Sequence, residues 1–149
     1  MASGNQQPRD ELVIGWVCQP WREGETELLA DATARAAEEF IKRLRAQFPD
    51  YEWRCELRER RPRPVEPRGV DPLEMLAVGC GEKLARGWDF ALVVTDAELL
   101  ARTRPFTIGV PSSALETAVL STSRFPRGEE DPWRRLAVMG LYFLGHMLG

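Results

Sequence analysis

Histidine is almost absent from this chain, since His146 is the only one in 149 residues. Cysteine is scarce as well: the three cysteines are widely spaced, odd in number and unaccompanied by histidines. This pattern argues against a disulfide framework and against a zinc knuckle, and it is typical of a reducing compartment. Neither charge dominates, because the net charge is −3, so no overall field attracts nucleic acid or an anionic membrane.

A secretory signal is also missing. The first ten residues are polar and contain no apolar core, and no internal repeat or low-complexity segment follows. A length of 149 residues suits a single domain that buries its own core. We therefore expect a cytoplasmic chain with a polar tail over residues 1–10 and one domain over residues 11–149.

Apolar runs predict the strands. The runs over residues 12–18 and 90–95 are continuous, which indicates strands buried on both faces. Residues 52–58 alternate between apolar and charged and predict a strand with one solvent-exposed face. Shorter strands are expected over 106–110 and 117–122, and the prolines that flank the first of them, Pro105 and Pro111, favour a sheet edge.

Three amphipathic segments predict helices. The first begins near its cap Thr26 and closes at Pro49, and the second runs from the cap Asp71 to Gly87. The third begins at Asp131. The apolar face of the second helix is expected to comprise Leu73, Leu76, Ala77, Cys80 and Leu84. The element order predicts an α/β fold with a mixed, mostly parallel five-stranded sheet and three helices.

The C-terminal helix is apolar on every side, because no charged residue occurs between Leu136 and Gly149. A helix of this kind is buried in a core or in lipid. Its fourteen residues fall short of the roughly 20 that span a bilayer, so a core helix is favoured. The alternative is a membrane-attached domain of a longer protein, in which this helix starts a spanning segment.

The last eight residues have the spacing of the zinc-peptidase signature H-E-x-x-H-x-x-G. Tyr142 stands at the first histidine position, Phe143 at the glutamate, His146 at the second histidine and Gly149 at the glycine. Two histidines four residues apart can reach one zinc ion, and the glutamate takes a proton from the metal-bound water. Phe143 cannot accept a proton, and one histidine is not a zinc site.

The second half of the chain resembles the archaemetzincins, zinc-dependent peptidase-like proteins of the metzincin clan. The residues that carry this resemblance are Thr95-Asp96, Phe106-Thr107-Ile108-Gly109, Ala118-Val119-Leu120-Ser121, Arg124 and the helix from Asp131. The resemblance implies the fold of a metzincin N-terminal subdomain. It also implies a third zinc ligand past Gly149 and an extended substrate along an edge strand, here Phe106, Thr107, Ile108, Gly109 and Val110.

These residues favour a catalytically inactive metallopeptidase-like module, without a cofactor, that binds or scaffolds an unknown protein or peptide. His146 is then expected in the core, satisfied by a carbonyl or a carboxylate such as Asp96 or Glu116, and Tyr142 and Phe143 fill space beside it. Nucleic acid is excluded as a partner, because the arginine-rich loop over residues 60–69 has no interleaved aromatics.

A divergent hydrolase is the remaining alternative. Its candidate nucleophiles would be the hydroxyls of Ser112, Ser113, Ser121 and Ser123 or the thiols of Cys18, Cys55 and Cys80. Such a nucleophile needs a positioned base, and the only histidine lies in an apolar helix. The sequence also lacks the G-x-S-x-G elbow that presents a catalytic serine in many hydrolases.

Overall fold

Five strands and three helices make up the domain. The computed structural model describes residues 11–21, 26–62, 69–100, 108–126 and 131–148. The strands are β1 (Glu11–Gln19), β2 (Glu52–Glu59), β3 (Phe90–Thr95), β4 (Gly109–Ser112) and β5 (Thr117–Ser121). The helices are α1 (Thr26–Gln47), α2 (Pro72–Arg86) and α3 (Pro132–Leu148).

The strands form one mixed sheet in the order β2-β1-β3-β5-β4. β1, β2, β3 and β5 are mutually parallel, and only β4 runs antiparallel to its neighbour β5. The two strands predicted to be buried on both faces, β1 and β3, are neighbours in the middle of this order. The predicted α/β class and the mostly parallel five-stranded sheet with three helices are confirmed.

Helices cover both faces of the sheet and divide the core in two. On one face, Trp16 of β1 packs in a cluster with Phe40 of α1 and Leu144 of α3. On the other face, Val17 packs with Leu76 of α2. Alternate residues of β1 serve the two clusters because successive side chains of a strand point to opposite faces.

Helix α2 begins and ends where its sequence signals predict. The Asp71 side chain caps it by accepting a hydrogen bond from the Leu73 amide at 2.9 Å. Pro72 occupies the first turn, where a missing amide hydrogen costs nothing. Gly87 ends the helix in the left-handed conformation, with φ at 72°, which glycine adopts without strain.

The predicted apolar face of α2 is confirmed at Leu76 but is wrong at Leu73 and Leu84. Leu73 and Leu84 are 68% and 74% exposed, whereas Met75, Leu76 and Gly79 are buried. The cause is Gly79, which lets the helix approach the sheet closely. A Cβ atom there would lie 2.6 Å from side-chain carbons of both Val93 and Thr117. The hydrophobic pattern of the sequence does not indicate this contact, because glycine contributes no apolar side chain to the pattern.

Two further apolar residues lie outside the core. Leu28 of α1 is 73% exposed, and Leu57 of β2 is 52% exposed. Leu57 belongs to an edge strand, where less of the neighbouring helix layer covers the sheet. No helix of the described residues is long and apolar enough to cross a membrane.

The substitutions Gly79→Ala and Gly81→Ala test the close approach of α2. Gly79→Ala should lower the free energy of unfolding by about 1–3 kcal/mol, because the added methyl group overlaps β3 and β5. Gly81 lies on the same helix, and a Cβ atom there would meet nothing within 4 Å, so Gly81→Ala should raise stability by about 0.5–1 kcal/mol. Urea denaturation measures both, and equal effects would contradict the packing described.

Candidate functional site

Helix α3, which carries Tyr142, Phe143 and His146, has one buried and one exposed side. Leu136, Ala137, Met139, Gly140, Phe143, Leu144 and Met147 are buried against α1 and the sheet. Val138, Tyr142 and Leu148 are 50%, 70% and 58% exposed. The prediction that this helix is buried on all sides is therefore wrong. Apolar residues occupy both sides of α3, and one side of it is buried against the other described segments of the chain.

Phe143, at the position of the catalytic glutamate, lies in the core and is only 7% exposed. Its ring is in contact with the edge strand β4. A Cβ atom at Gly109 would lie 2.5 Å from the Phe143 ring and 2.9 Å from the Val119 carbonyl oxygen. Gly109 thus leaves the space that the Phe143 ring fills, and helix α3 is held against β4 by this contact.

Tyr142 and His146 lie on the β4 side of α3. Gly140 approaches Trp16 and Phe40, so it marks the side of the helix that faces α1. Because successive helical residues are rotated by roughly 100°, Gly140 lies on one side of Phe143 and the pair Tyr142 and His146 on the other. The pair is therefore directed away from α1.

The expected burial of Tyr142 and His146 is wrong, because both residues are exposed. The two carboxylates proposed as partners of His146 interact elsewhere. Asp96 accepts a hydrogen bond from the Trp21 amide at 2.7 Å, and Glu116 pairs with Lys83 at 3.5 Å. The absence of charged residues from Leu136 onward predicted burial of α3. Among the described residues, tertiary packing covers the half of this helix that includes Phe143.

The candidate peptide-binding strand is shifted relative to its prediction. Phe106 and Thr107 lie outside the described residues, and Ile108 precedes the strand and is 46% exposed. Gly109 and Val110 open β4, which continues to Ser112. β4 lies at the edge of the sheet, as Pro111 within it led us to expect.

The Thr95-Asp96 pair and Ser121 meet where β3 and β5 end. The Thr95 hydroxyl accepts a hydrogen bond from the Ala97 amide at 3.1 Å, and the Ser121 hydroxyl donates to the Ala97 carbonyl at 2.5 Å. Asp96 holds the chain after β1 through the Trp21 amide. The hydroxyls of Thr95 and Ser121 and one carboxylate oxygen of Asp96 therefore connect the chain segments that follow β1, β3 and β5.

Glu98 completes this network, and no sequence pattern points to its role. Its carboxylate accepts a hydrogen bond from the Ser123 hydroxyl at 3.0 Å and pairs with the Arg124 guanidinium at 2.7 Å. Arg124, the arginine of the archaemetzincin-like pattern, thus pairs with a residue 26 positions earlier in the chain. Only the fold brings these two positions together.

The residues present do not fit a zinc centre of the peptidase kind. Among the described parts of the chain, no group of three or more histidine, cysteine, aspartate or glutamate residues could hold a metal ion. The signature itself offers one imidazole, that of His146, and one phenol, that of Tyr142. Zinc sites in proteins use thiolate, imidazole and carboxylate donors, and a phenol is not among these usual ligands.

Four candidate nucleophiles of a hydrolase, Cys18, Cys55, Ser121 and Ser123, are buried or engaged in hydrogen bonds. Burial raises the pKa of the Cys18 thiol to about 11 and that of Cys55 to about 12, so both are protonated at neutral pH. Ser121 is fully buried, and Ser123 donates to a carboxylate that already pairs with Arg124. Catalytic serines are usually paired with a histidine, and none lies in this network.

Comparison with known proteins supports the same architecture. No protein-family model matches the chain, and no curated protein matches it. The crystal structure of archaemetzincin from Methanopyrus kandleri matches with a TM-score of 0.68 and 20% identity, over 95% of this chain and 76% of that one. The fold defines a metallopeptidase-like α/β domain.

Two more solved structures agree. Archaemetzincin from Archaeoglobus fulgidus, in complex with malonate, gives a TM-score of 0.56 at 18% identity over 93% of this chain and 78% of that one. A zinc-dependent peptidase from Methanocorpusculum labreanum gives 0.62 at 16% identity over 91% and 81%. The fold of this chain is archaemetzincin-like.

Restoring the glutamate of the signature should destabilise the domain. Phe143→Glu removes a buried ring from its contact with Gly109 and places a carboxylate there, so the free energy of unfolding should fall by at least about 3 kcal/mol. The apolar control Phe143→Leu should cost about 1 kcal/mol. Denaturant titration measures both, and a Phe143→Glu variant as stable as the native chain would contradict the burial.

Restoring the first histidine should instead be tolerated. Tyr142→His places two imidazoles one helical turn apart on an exposed surface, where they can chelate Ni²⁺. Isothermal titration should detect micromolar Ni²⁺ binding by this variant. Val138→His is the control, because its imidazole lies two turns from His146. Equal binding by both variants would contradict the geometry.

Proposed function

We propose that this domain binds extended peptide segments along β4 and does not hydrolyse them. It acts as a binding or scaffolding module built on an archaemetzincin-like fold. The proposed partner is a segment of a protein or a peptide, held by the outer edge of β4 and by the surface that α3 presents beside it. The proposed binding and scaffolding roles require no metal ion or other cofactor.

The observation that carries this proposal is the burial of Phe143 against Gly109. Hydrolysis by the zinc-peptidase route needs a carboxylate at this position to take a proton from the attacking water. The phenyl ring of Phe143 has no atom that can accept this proton. The ring fills the position beside β4 that a catalytic carboxylate would need. His146 alone cannot replace the missing ligands.

The edge of β4 supports the binding half of the proposal. No strand of the described residues pairs with its outer side, which is the arrangement that strand addition requires. Strand addition uses backbone hydrogen bonds for affinity and alternate side chains for specificity. One side of an added strand would meet Tyr142 and His146 on α3. The other would meet Ile108, which alternates with Gly109 onto the α2 face.

Charge supports a peptide partner over nucleic acid. Arg58, Arg60 and Arg86 all approach the carboxylate of Glu82, at 4.0, 2.7 and 3.0 Å. Arginines paired with a carboxylate within the protein attract phosphate less strongly. The free thiols of Cys18, Cys55 and Cys80 support a reducing, cytoplasmic location as part of the same proposal.

A pool of fluorescein-labelled, capped random nonapeptides tests the proposal. Fluorescence anisotropy should detect binding, and mass spectrometry should find the peptides intact with or without a chelator. Tyr142→Ala should weaken binding at least about fivefold, because it removes an exposed aromatic ring beside β4.

Leu148→Ala is the matched control. It truncates another exposed apolar residue of α3, one that helical geometry places away from the β4 side, and binding should not change. Chelator-sensitive cleavage would overturn the proposed inactivity. An equal loss of binding in both variants, or no binding at all, would overturn the proposed site.

A further inference from the structure

The hydrogen bonds between β4 and β5 identify which backbone groups of β4 point outward. The Ser121 amide donates to the Ile108 carbonyl at 2.8 Å, so these two residues face each other as a hydrogen-bonded pair. Such pairs alternate with non-bonded pairs along an antiparallel ladder. Val110, opposite Val119, therefore points toward β5 as well. Gly109 and Pro111 direct their backbone groups to the outer edge.

Proline at one of these two outward positions makes the edge asymmetric. Gly109 offers both an N–H donor and a carbonyl acceptor, whereas Pro111 offers a carbonyl only, because its nitrogen carries no hydrogen. The described outer edge of β4 therefore has one donor and two acceptors. When an added peptide strand pairs with Gly109, its next inward-facing carbonyl meets Pro111 and finds no N–H donor there.

Two orientations of an added strand use these groups differently. In the antiparallel orientation, the peptide residue facing Gly109 makes two hydrogen bonds, and the residue two positions before it donates one to the Pro111 carbonyl. Three bonds thus fix three peptide residues. In the parallel orientation, the same three bonds are spread over five residues, so more conformational entropy is lost for equal bonding.

We propose that Gly109 and Pro111 set the register of the bound peptide. An antiparallel strand is anchored by the residue facing Gly109, and its ladder ends at the residue facing Pro111. The anchoring side chain lies on the α3 face, above Phe143, because directly opposite residues point to the same face. This inference rests on the proposed function and adds Pro111 as its specificity-determining residue.

The test uses a capped nonapeptide of alternating threonine and valine with a lysine at each end. Hydrogen exchange by NMR on the native chain should show the Gly109 amide slowed at least about tenfold by saturating peptide. The Val110 amide, already bonded to β5, should not change. Pro111→Ala supplies the missing outward N–H and should tighten binding about fivefold, the effect of one added hydrogen bond.

The amide introduced at position 111 should itself become protected when the peptide binds. Pro111→Thr carries the same N–H on a β-branched residue, and it serves if the alanine variant does not fold. Leu148→Ala is the control, because Leu148 lies on α3 away from the β4 side and the substitution adds no outward donor. Its affinity for the nonapeptide should equal that of the native chain.

The outcomes of this test separate the two proposals. In one outcome, the peptide protects the Gly109 amide, but both Pro111 variants bind it with unchanged affinity and their amide at position 111 stays unprotected. That outcome overturns the register inference and leaves the proposed function standing. If neither the nonapeptide nor the random pool binds, the proposed function fails and the inference fails with it. Protection at both positions with tighter binding supports both.

Discussion

The contact between the Phe143 ring and the Gly109 backbone determines how α3 lies against the edge of the sheet. Without a side chain at Gly109, the ring approaches β4 closely enough to be almost completely buried. The same contact positions Tyr142 and His146, because helical geometry then turns them toward solvent on the β4 side. The zinc-peptidase signature has a catalytic carboxylate at this position. Here the position holds the Phe143 ring, whose hydrophobic contact with Gly109 stabilises the domain.

Much of the fold could be predicted because its strongest signals are local. The continuous apolar runs of β1 and β3 indicate burial on both faces, and Asp71, Pro72 and Gly87 fix the ends of α2 through backbone geometry that their own side chains impose. Residues of these kinds act on their immediate neighbours in the chain. The structure confirms the elements they predict.

Other features depend on contacts between distant segments. Which side of α2 is buried is decided by Gly79 against Val93 and Thr117, and no local pattern announces such a close approach. Helix α3 was expected in the core because it lacks charge, yet only its Phe143 side has a partner. The exposure of His146 follows from that packing and from nothing in the adjacent sequence.

The chain has an archaemetzincin-like fold, but Tyr142 and Phe143 stand where the zinc-peptidase signature has histidine and glutamate. The fold alone therefore does not imply peptidase chemistry. Thr95, Ser121 and Arg124 hold the strand ends in place, so these parts of the resemblance are explained by structure alone. Among the described residues no strand pairs with the outer side of β4, and the residues beside it, Tyr142 and His146, do not form a zinc site of the peptidase kind. The proposed peptide-binding role uses the edge strand β4, whereas the zinc-peptidase route would need a histidine and a glutamate at the positions of Tyr142 and Phe143.

A crystal structure of the chain soaked with zinc chloride, with diffraction recorded at the zinc absorption edge, tests this account most directly. We expect the Phe143 ring to lie against Gly109 and no anomalous peak to be shared by His146 Nε2 and Tyr142 Oη. A zinc ion coordinated jointly by these two atoms, with the Phe143 ring turned away from β4, would contradict it.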